Sequence, residues 1–268
     1  MKTHSKALSF LLISFLILMI SAIAMAQPRA MPERERDTTG PCEPRAYLFA
    51  DHRWFFDLGL TLWPAATMGD VTLQGETTEM DVSIASALQN FDLAAGVQAE
   101  VGWCRISLLV DFFFQDIATD QITAPQPGTA QQDLTQISTT TVLSWLFQPH
   151  ELLTLGPVAG VRYLNIASGL EIEEGINVTA REGFFDPIVG LRGKVETPIP
   201  LYVPLYADVG GLGFGSNLTW QAFAGVGVEI HRVNLELGYR HLYVNYEGDQ
   251  LELDLHTFGP QLGLRFRF

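Results

Sequence analysis

"GPQLGLRFRF", from Gly259 to Phe268, alternates apolar side chains with small or basic ones up to the last residue of the chain. A loose terminus is ordinarily polar and frayed. This one reads as a strand that is needed to its final side chain. Taken back to Thr257, it opposes Phe258, Leu262, Leu264, Phe266 and Phe268 to Gly259, Gln261, Gly263, Arg265 and Arg267. A period of two marks a strand with two unlike faces. Whether the strand is a sheet edge, a core strand or the closing stave of a barrel depends on the rest of the chain.

The same alternation occurs nine times upstream, in segments of about ten residues. "WFFDLGLTLWPA" opposes Phe56, Leu58, Leu60 and Leu62 to Asp57, Gly59 and Thr61. "DLAAGVQAEVG" sets Val97 and Val101 against Gln98 and Glu100, and "RISLLVDFFFQD" sets Leu108, Phe112 and Phe114 against Ser107, Asp111 and Gln115. "QISTTTVLSWLF" carries Ile137, Leu143, Trp145 and Phe147 on one face. Further on, Arg162 opposes Val161 and Tyr163, while Asp186, Arg192 and Lys194 oppose Val189, Leu191 and Val195. Asp208 opposes Ala207 and Val209, Glu229 opposes Val226 and Val228, and Glu236 and Arg240 oppose Leu235, Leu237 and Tyr239. Short connections fall near 102–105, 148–151, 198–200 and 230–232. Longer ones fall near 69–90, 119–134 and 167–183, with shorter ones near 214–217 and 247–254.

The two faces separate a membrane barrel from a soluble sandwich. The apolar face is nearly free of charge and carries aromatics near strand ends: Trp54, Phe56, Trp145, Tyr163, Trp220, Tyr239 and Phe266. The other face holds Gly, Gln and Asn with scattered charges of both signs, as in a confined space where small residues make room and charges pair. Apolar outside, polar inside, aromatic girdles and connections that alternate in length describe a transmembrane barrel. Hydrocarbon requires closure, because every backbone group must be paired within the protein. The expected fold is all-β: a closed antiparallel transmembrane β-barrel of ten strands, with eight as the alternative count. Its short turns would be periplasmic and its longer loops extracellular.

Residues 1–26 have a basic head, the apolar run "LSFLLISFLILMISAIA" and the small residues "AMA", and read as a cleaved secretory signal peptide. An uncleaved anchor is the alternative. Residues 27–52 are rich in Pro, Arg and Glu and read as an extended periplasmic segment, leaving 53–268 as the barrel. After removal of 1–26 the chain keeps 14 Lys and Arg against 30 Asp and Glu, a formal charge of −16. That balance excludes nucleic acid as a partner. An exported barrel belongs in a Gram-negative-type cell outer membrane, with outer-membrane lipids and lipopolysaccharide as its surroundings. The sequence leaves its oligomeric state undetermined.

The terminal segment resembles the C-terminal signature of outer-membrane barrels, in which a final aromatic and alternating apolar residues are read by the barrel assembly machinery. Leu264, Phe266 and Phe268 match it. "DVGGLGFGSNLTWQAFAGVGVEI", "LELGYRHLYVNYE" and "GPQLGLRFRF" resemble the second half of a family of small OmpA-like or porin-like bacterial outer-membrane barrels. The resemblance implies a fold and a location. It supplies no substrate and no catalytic residue.

The inward charges are therefore the first candidate site: Asp57, Glu100, Asp111, Arg162, Asp186, Arg192, Lys194, Asp208, Glu229, Glu236, Arg240, Arg265 and Arg267. They read as a salt-bridged interior, or as the lining of a narrow pore for small solutes. Catalysis by a lipid-active barrel enzyme, of acyltransferase, deacylase or phospholipase type, is the competing class. It would require a histidine placed beside a nucleophile or carboxylate. Of His52, His150, His231, His241 and His256, only His256, near Asp254 at the mouth of the last strand, is placed for such a role. No nucleophile-elbow, zinc-protease or paired-cysteine motif occurs. Neither a metal nor a cofactor is expected, and the chain reads as a non-enzyme. Acidic loops (Asp70, Glu76, Glu79 and Asp81; Glu171, Glu173, Glu174 and Glu182; Glu247, Asp249, Glu252 and Asp254) read as a solvated surface, or as cation bridges to lipopolysaccharide phosphates. "DVSIASALQNF" spaces Val82, Ile84, Leu88 and Phe91 as a short amphipathic turn. Cys42 and Cys104 both fall on the periplasmic side and form a candidate disulfide.

Overall fold

The computed structural model describes residues 54–268 apart from 74, 91–93, 124–128, 151 and 173–175. The signal-peptide reading of 1–26, the segment 27–52 and Cys42 lie outside the described residues. The elements in chain order are β1 (Trp54–Trp63), β2 (Ala66–Leu73), β3 (Glu76–Val82), α1 (Ile84–Asn90), β4 (Ala94–Trp103), β5 (Ile106–Thr123), β6 (Thr129–Trp145) and β7 (Phe147–His150). They continue with β8 (Leu153–Ile172), β9 (Ile176–Glu196), β10 (Leu201–Gly211), β11 (Leu218–Ile230), β12 (Val233–Glu247) and β13 (Leu251–Arg267).

Ten of these strands form a closed antiparallel barrel in the order β1-β4-β5-β6-β8-β9-β10-β11-β12-β13, and β13 pairs back onto β1. The terminal segment Gly259–Phe268 thus belongs to the closing stave, with Asp57 opposite Arg267, Leu60 opposite Leu264 and Leu62 opposite Leu262. Closure removes the unpaired edge that an open sheet presents. At one end, two-residue turns join β4 to β5 and β11 to β12. Cys104 and His231 begin them with φ of 54° and 56°, a left-handed conformation that such tight hairpins demand.

Each stave presents its faces as the alternation requires. Phe56, Leu58, Leu60 and Leu62 are exposed on the outer face of β1, while Asp57 and Thr61 are buried inside. Small residues on the inner face make room for rings. A Cβ at Gly227 would overlap the ring of Tyr202 on the neighbouring β10, and one at Gly102 would overlap Phe55.

Three of the longer connections are built differently from the sequence expectation. Residues 69–90 are not an open loop. After a corner at Pro64–Ala65, β2 continues the stave of β1 along the far half of β13, and β3 folds back on β2. Trp63 ties the corner by donating from Nε1 to the Gly259 carbonyl at 3.3 Å. A Cβ at Gly259 would run into the Pro64 carbonyl. The amphipathic turn is α1, whose first turn is capped by Ser83, its Oγ accepting from the Ser86 amide at 3.1 Å. Val82 belongs to β3 and is buried. The stretches 119–134 and 167–183 are mostly strand, so β8 and β9 reach 20 and 21 residues. Their Thr, Gly and charged content reads as loop. In a hairpin standing in water, however, that polarity is what the outer face of a strand requires.

The extra length forms a second storey. Along β13, Phe258, Leu262 and Leu264 lie on the outer face, but Leu251, Leu253 and Leu255 lie on the inner one, with Glu252 and Asp254 exposed outside. The apolar parity switches in the same way on β8 between Tyr163 and Leu164, on β9 between Phe185 and Phe184, and on β12 between Tyr239 and Leu242. Below the switch the barrel is apolar outside and charged inside. Above it the pattern inverts. Leu134, Leu164, Ile166, Phe184, Leu242, Val244, Tyr246, Leu251, Leu253 and Leu255 pack into one core with Val71, Met80 and Val82 of the β2–β3 hairpin. Phe184 stacks on Tyr246 with centroids 4.1 Å apart and planes at 6°. A fully buried Leu contributes about 2 kcal/mol, so this storey is held together by the same burial that holds a water-soluble domain.

Candidate functional site

The lower lumen holds the thirteen charges that the alternation placed inside. Arg162 on β8 donates from Nη2 to both carboxylate oxygens of Asp208 on β10, at 2.8 and 2.6 Å, with neither side chain exposed. Its Nε reaches the Thr140 hydroxyl at 3.3 Å. Arg192 on β9 crosses the lumen to grip Glu100 on β4 with both terminal nitrogens, at 2.6 and 2.8 Å. This fork-to-fork geometry is the strongest form of the pair. Arg240 on β12 meets Asp111 at 3.1 Å and the Gln221 amide oxygen at 2.7 Å, and its guanidinium lies 4.0 Å from the Phe113 ring centre.

Nearer the turn end the network is looser and more exposed. Arg265 contacts Glu236 at 3.4 Å, and Glu236 accepts from the Tyr202 hydroxyl at 2.8 Å. Arg267 joins Asp57 at 3.3 Å to Glu229 at 3.4 Å. Lys194 lies 3.2 Å from Glu196 and 3.8 Å from Glu229, with its ammonium 4.5 Å above the Tyr202 ring. Asp186 is bound differently. Rather than pairing with an arginine, it accepts from the Ser216 amide and hydroxyl, both at 2.8 Å, and so pins the β10–β11 turn from inside the wall.

The Arg192–Glu100 and Arg240–Asp111 pairs connect strands on opposite sides of the barrel. A void of about 70 Å³ is bordered by Asp111, Arg192, Lys194, Tyr206, Arg240 and Arg265. That is room for a few waters. Directly above, Trp63, Phe113 and Leu242 begin the apolar core. In that core the phenol of Tyr246 is pushed above its usual range by burial and by the nearby Glu182 carboxylate.

A second cluster lies on the outer wall at the level of the parity switch. His241 and His256, on β12 and β13, face outward with His241 Nε2 3.0 Å from His256 Nδ1 and ring planes at 77°. Trp220 flanks His241 at 4.6 Å between centroids, and Tyr243 flanks His256 at 4.5 Å. On that face His256 is surrounded by Met68, Tyr243, Asp254 and Phe258, none of them a serine, threonine or cysteine. Position in the sequence singles out His256, near Asp254, but not His241. The antiparallel register that brings them together, with Tyr243 opposite His256 and His241 opposite Phe258, is the signal that would have found the pair.

The acidic residues gather above this cluster. Asp70 stands between Glu79 on β3 and Asp254 on β13 in the strand register, and all three are exposed. At the turn end Cys104 is disulfide-bonded. The residues of the terminal signature lie on the seam: Phe266 and Phe268 are exposed on the outer face, and the Phe268 amide donates to the Phe56 carbonyl at 2.9 Å.

No protein-family model and no curated protein matches the chain. Among solved structures it is similar to outer-membrane β-barrels. Neisserial surface protein A is 10% identical over 81% of this chain and 98% of its own, with a TM-score of 0.36. The attachment invasion locus protein Ail of Yersinia pestis is 10% identical over 81% and 100%, with a TM-score of 0.36. The translocator domain of the autotransporter NalP from Neisseria meningitidis is 12% identical over 80% and 88%, with a TM-score of 0.42.

Proposed function

We propose that this chain is an integral protein of a Gram-negative-type outer membrane, acting as a closed, non-conducting scaffold that carries a rigid, acidic tower above the outer leaflet. The apolar band from Trp54, Trp103 and Trp145 up to Tyr163, Phe185 and Trp220 supports the membrane placement, since no water-exposed wall would keep such a band. The observation that carries the closed state is the filling of the lumen at two levels. The cross-barrel pairs Arg192–Glu100 and Arg240–Asp111, with the buried Arg162–Asp208 pair beside them, occupy the lower storey, and an apolar core occupies the upper one. A solute would have to part buried Arg–carboxylate pairs and then a packed hydrophobic layer, and each step is costly.

The test is planar-bilayer recording on the purified mature protein. A scaffold leaves the bilayer silent across ±150 mV (about the range that bilayers tolerate). Reproducible unitary steps would instead establish the narrow pore. Lipid surroundings, including lipopolysaccharide, and handling by the barrel assembly machinery follow from the same placement.

A further inference from the structure

We propose that His241 and His256 form a chelating site for a copper ion on the outer wall, with the Met68 thioether beside it. The spacing is the first argument. Imidazole nitrogens bind such ions at about 2.0–2.1 Å, so two cis ligands at right angles stand about 2.9 Å apart and two tetrahedral ones about 3.4 Å. The two ring nitrogens are 3.0 Å apart. Either spacing is a small ring rotation away from this hydrogen-bonded pair, and among divalent first-row ions an imidazole site binds Cu²⁺ most tightly.

The surroundings agree. Met68 stands directly opposite His256 on β2, on the same outer face and exposed. A thioether is a soft ligand that suits the reduced ion, Cu⁺. Asp81 of β3 stands opposite Met68, and Asp70 and Asp254 lie one same-face step further along. Together they make the local field attractive to cations. Trp220, Phe258 and Tyr243 hold both rings by packing, so little ordering is left to be done on binding. Among the described residues no group of three or more His, Cys, Asp or Glu side chains is placed to hold a metal ion, so the proposed site rests on the imidazole pair. Both rings bind as neutral imidazoles. The N–H that now bridges them is re-formed on the other nitrogen of its ring, so the ion replaces a hydrogen bond with no net loss of protons.

The experiment uses the untagged mature protein in detergent micelles, titrated with Cu²⁺ and, separately, with Zn²⁺. One Cu²⁺ per chain is expected, with nitrogen couplings from two imidazoles in the electron paramagnetic resonance spectrum and weaker Zn²⁺ binding. His241→Ala and His256→Ala should each lower Cu²⁺ affinity at least tenfold while leaving the heat-modifiable gel shift of the folded barrel intact. After reduction of the bound ion with ascorbate, Met68→Leu should weaken Cu⁺ retention against a chromogenic chelator, while its Cu²⁺ affinity stays within about twofold of the parent. Copper binding that survives in the folded double-alanine variant, or Cu²⁺ bound no tighter than Zn²⁺, would overturn the proposal.

Discussion

Replacing Asp208 by Asn tests whether lumenal pairing holds the lower barrel. Asp208 gives Arg162 two contacts at 2.8 and 2.6 Å, and both side chains are fully buried. The amide leaves Arg162 one neutral acceptor oxygen beside the 3.3 Å contact to Thr140 and the 3.5 Å contact to Gln221, and removes the charge that balances the guanidinium. Removing one partner of a buried pair costs about 3–5 kcal/mol, chiefly because the other charge is left unbalanced. At 1.4 kcal/mol per decade, that is a fall of roughly two to three and a half orders of magnitude in the folding equilibrium. Urea titration in lipid vesicles, followed by tryptophan fluorescence and the gel shift, measures it. The double variant Arg162→Met/Asp208→Leu removes both charges and should recover to within about 1 kcal/mol of the parent. A loss below about 1 kcal/mol in Asp208→Asn, or a double variant as unstable as the two single ones added together, would refute the reasoning.

Two further outcomes follow from the seam and the turn end. Deleting Phe268 removes one backbone bond to Phe56 and a ring contact with centroids 5.8 Å apart, about 1 kcal/mol each. Refolding in vitro should change little while the amount assembled in cells falls severalfold, and unchanged outer-membrane levels would contradict a role in assembly. Cys104 is disulfide-bonded, and Cys42 is the chain's other cysteine. Non-reducing digestion should yield one peptide joining them, and free alkylation of both thiols would exclude the bond.

Much of the lower storey is readable from the chain because hydrocarbon leaves little choice. A lipid-facing position must be apolar, so the parity of Leu58, Phe112, Val161 or Leu237 fixes the facing of every neighbour, including the thirteen inward charges. Partner choice was not readable. Arg192 reaches Glu100, 92 residues away, across the lumen, while Arg162 passes over its register neighbour Asp186 for Asp208. Cross-barrel distances depend on strand tilt and stagger, which alternation does not encode. The upper storey is not legible in the alternation because its outer face meets water. Polar residues there look like loops, and the compensating apolar residues appear one position out of phase. Leu251, Leu253 and Leu255 kept the period of two but changed sides, and only the change of phase distinguishes a strand in water from one in lipid.

That change of phase also limits how the protein can sit. Sliding the barrel by two residues along its strands, about 5 Å of height at a tilt near 40°, would lift Tyr163, Phe185 and Phe258 into solvent or drag Glu252 and Asp254 into hydrocarbon. β8, β9, β12 and β13 each carry their own mark. The marks act as a waterline. Depth of immersion is thereby written into the chain residue by residue, so a membrane of different thickness would have to deform to meet the barrel.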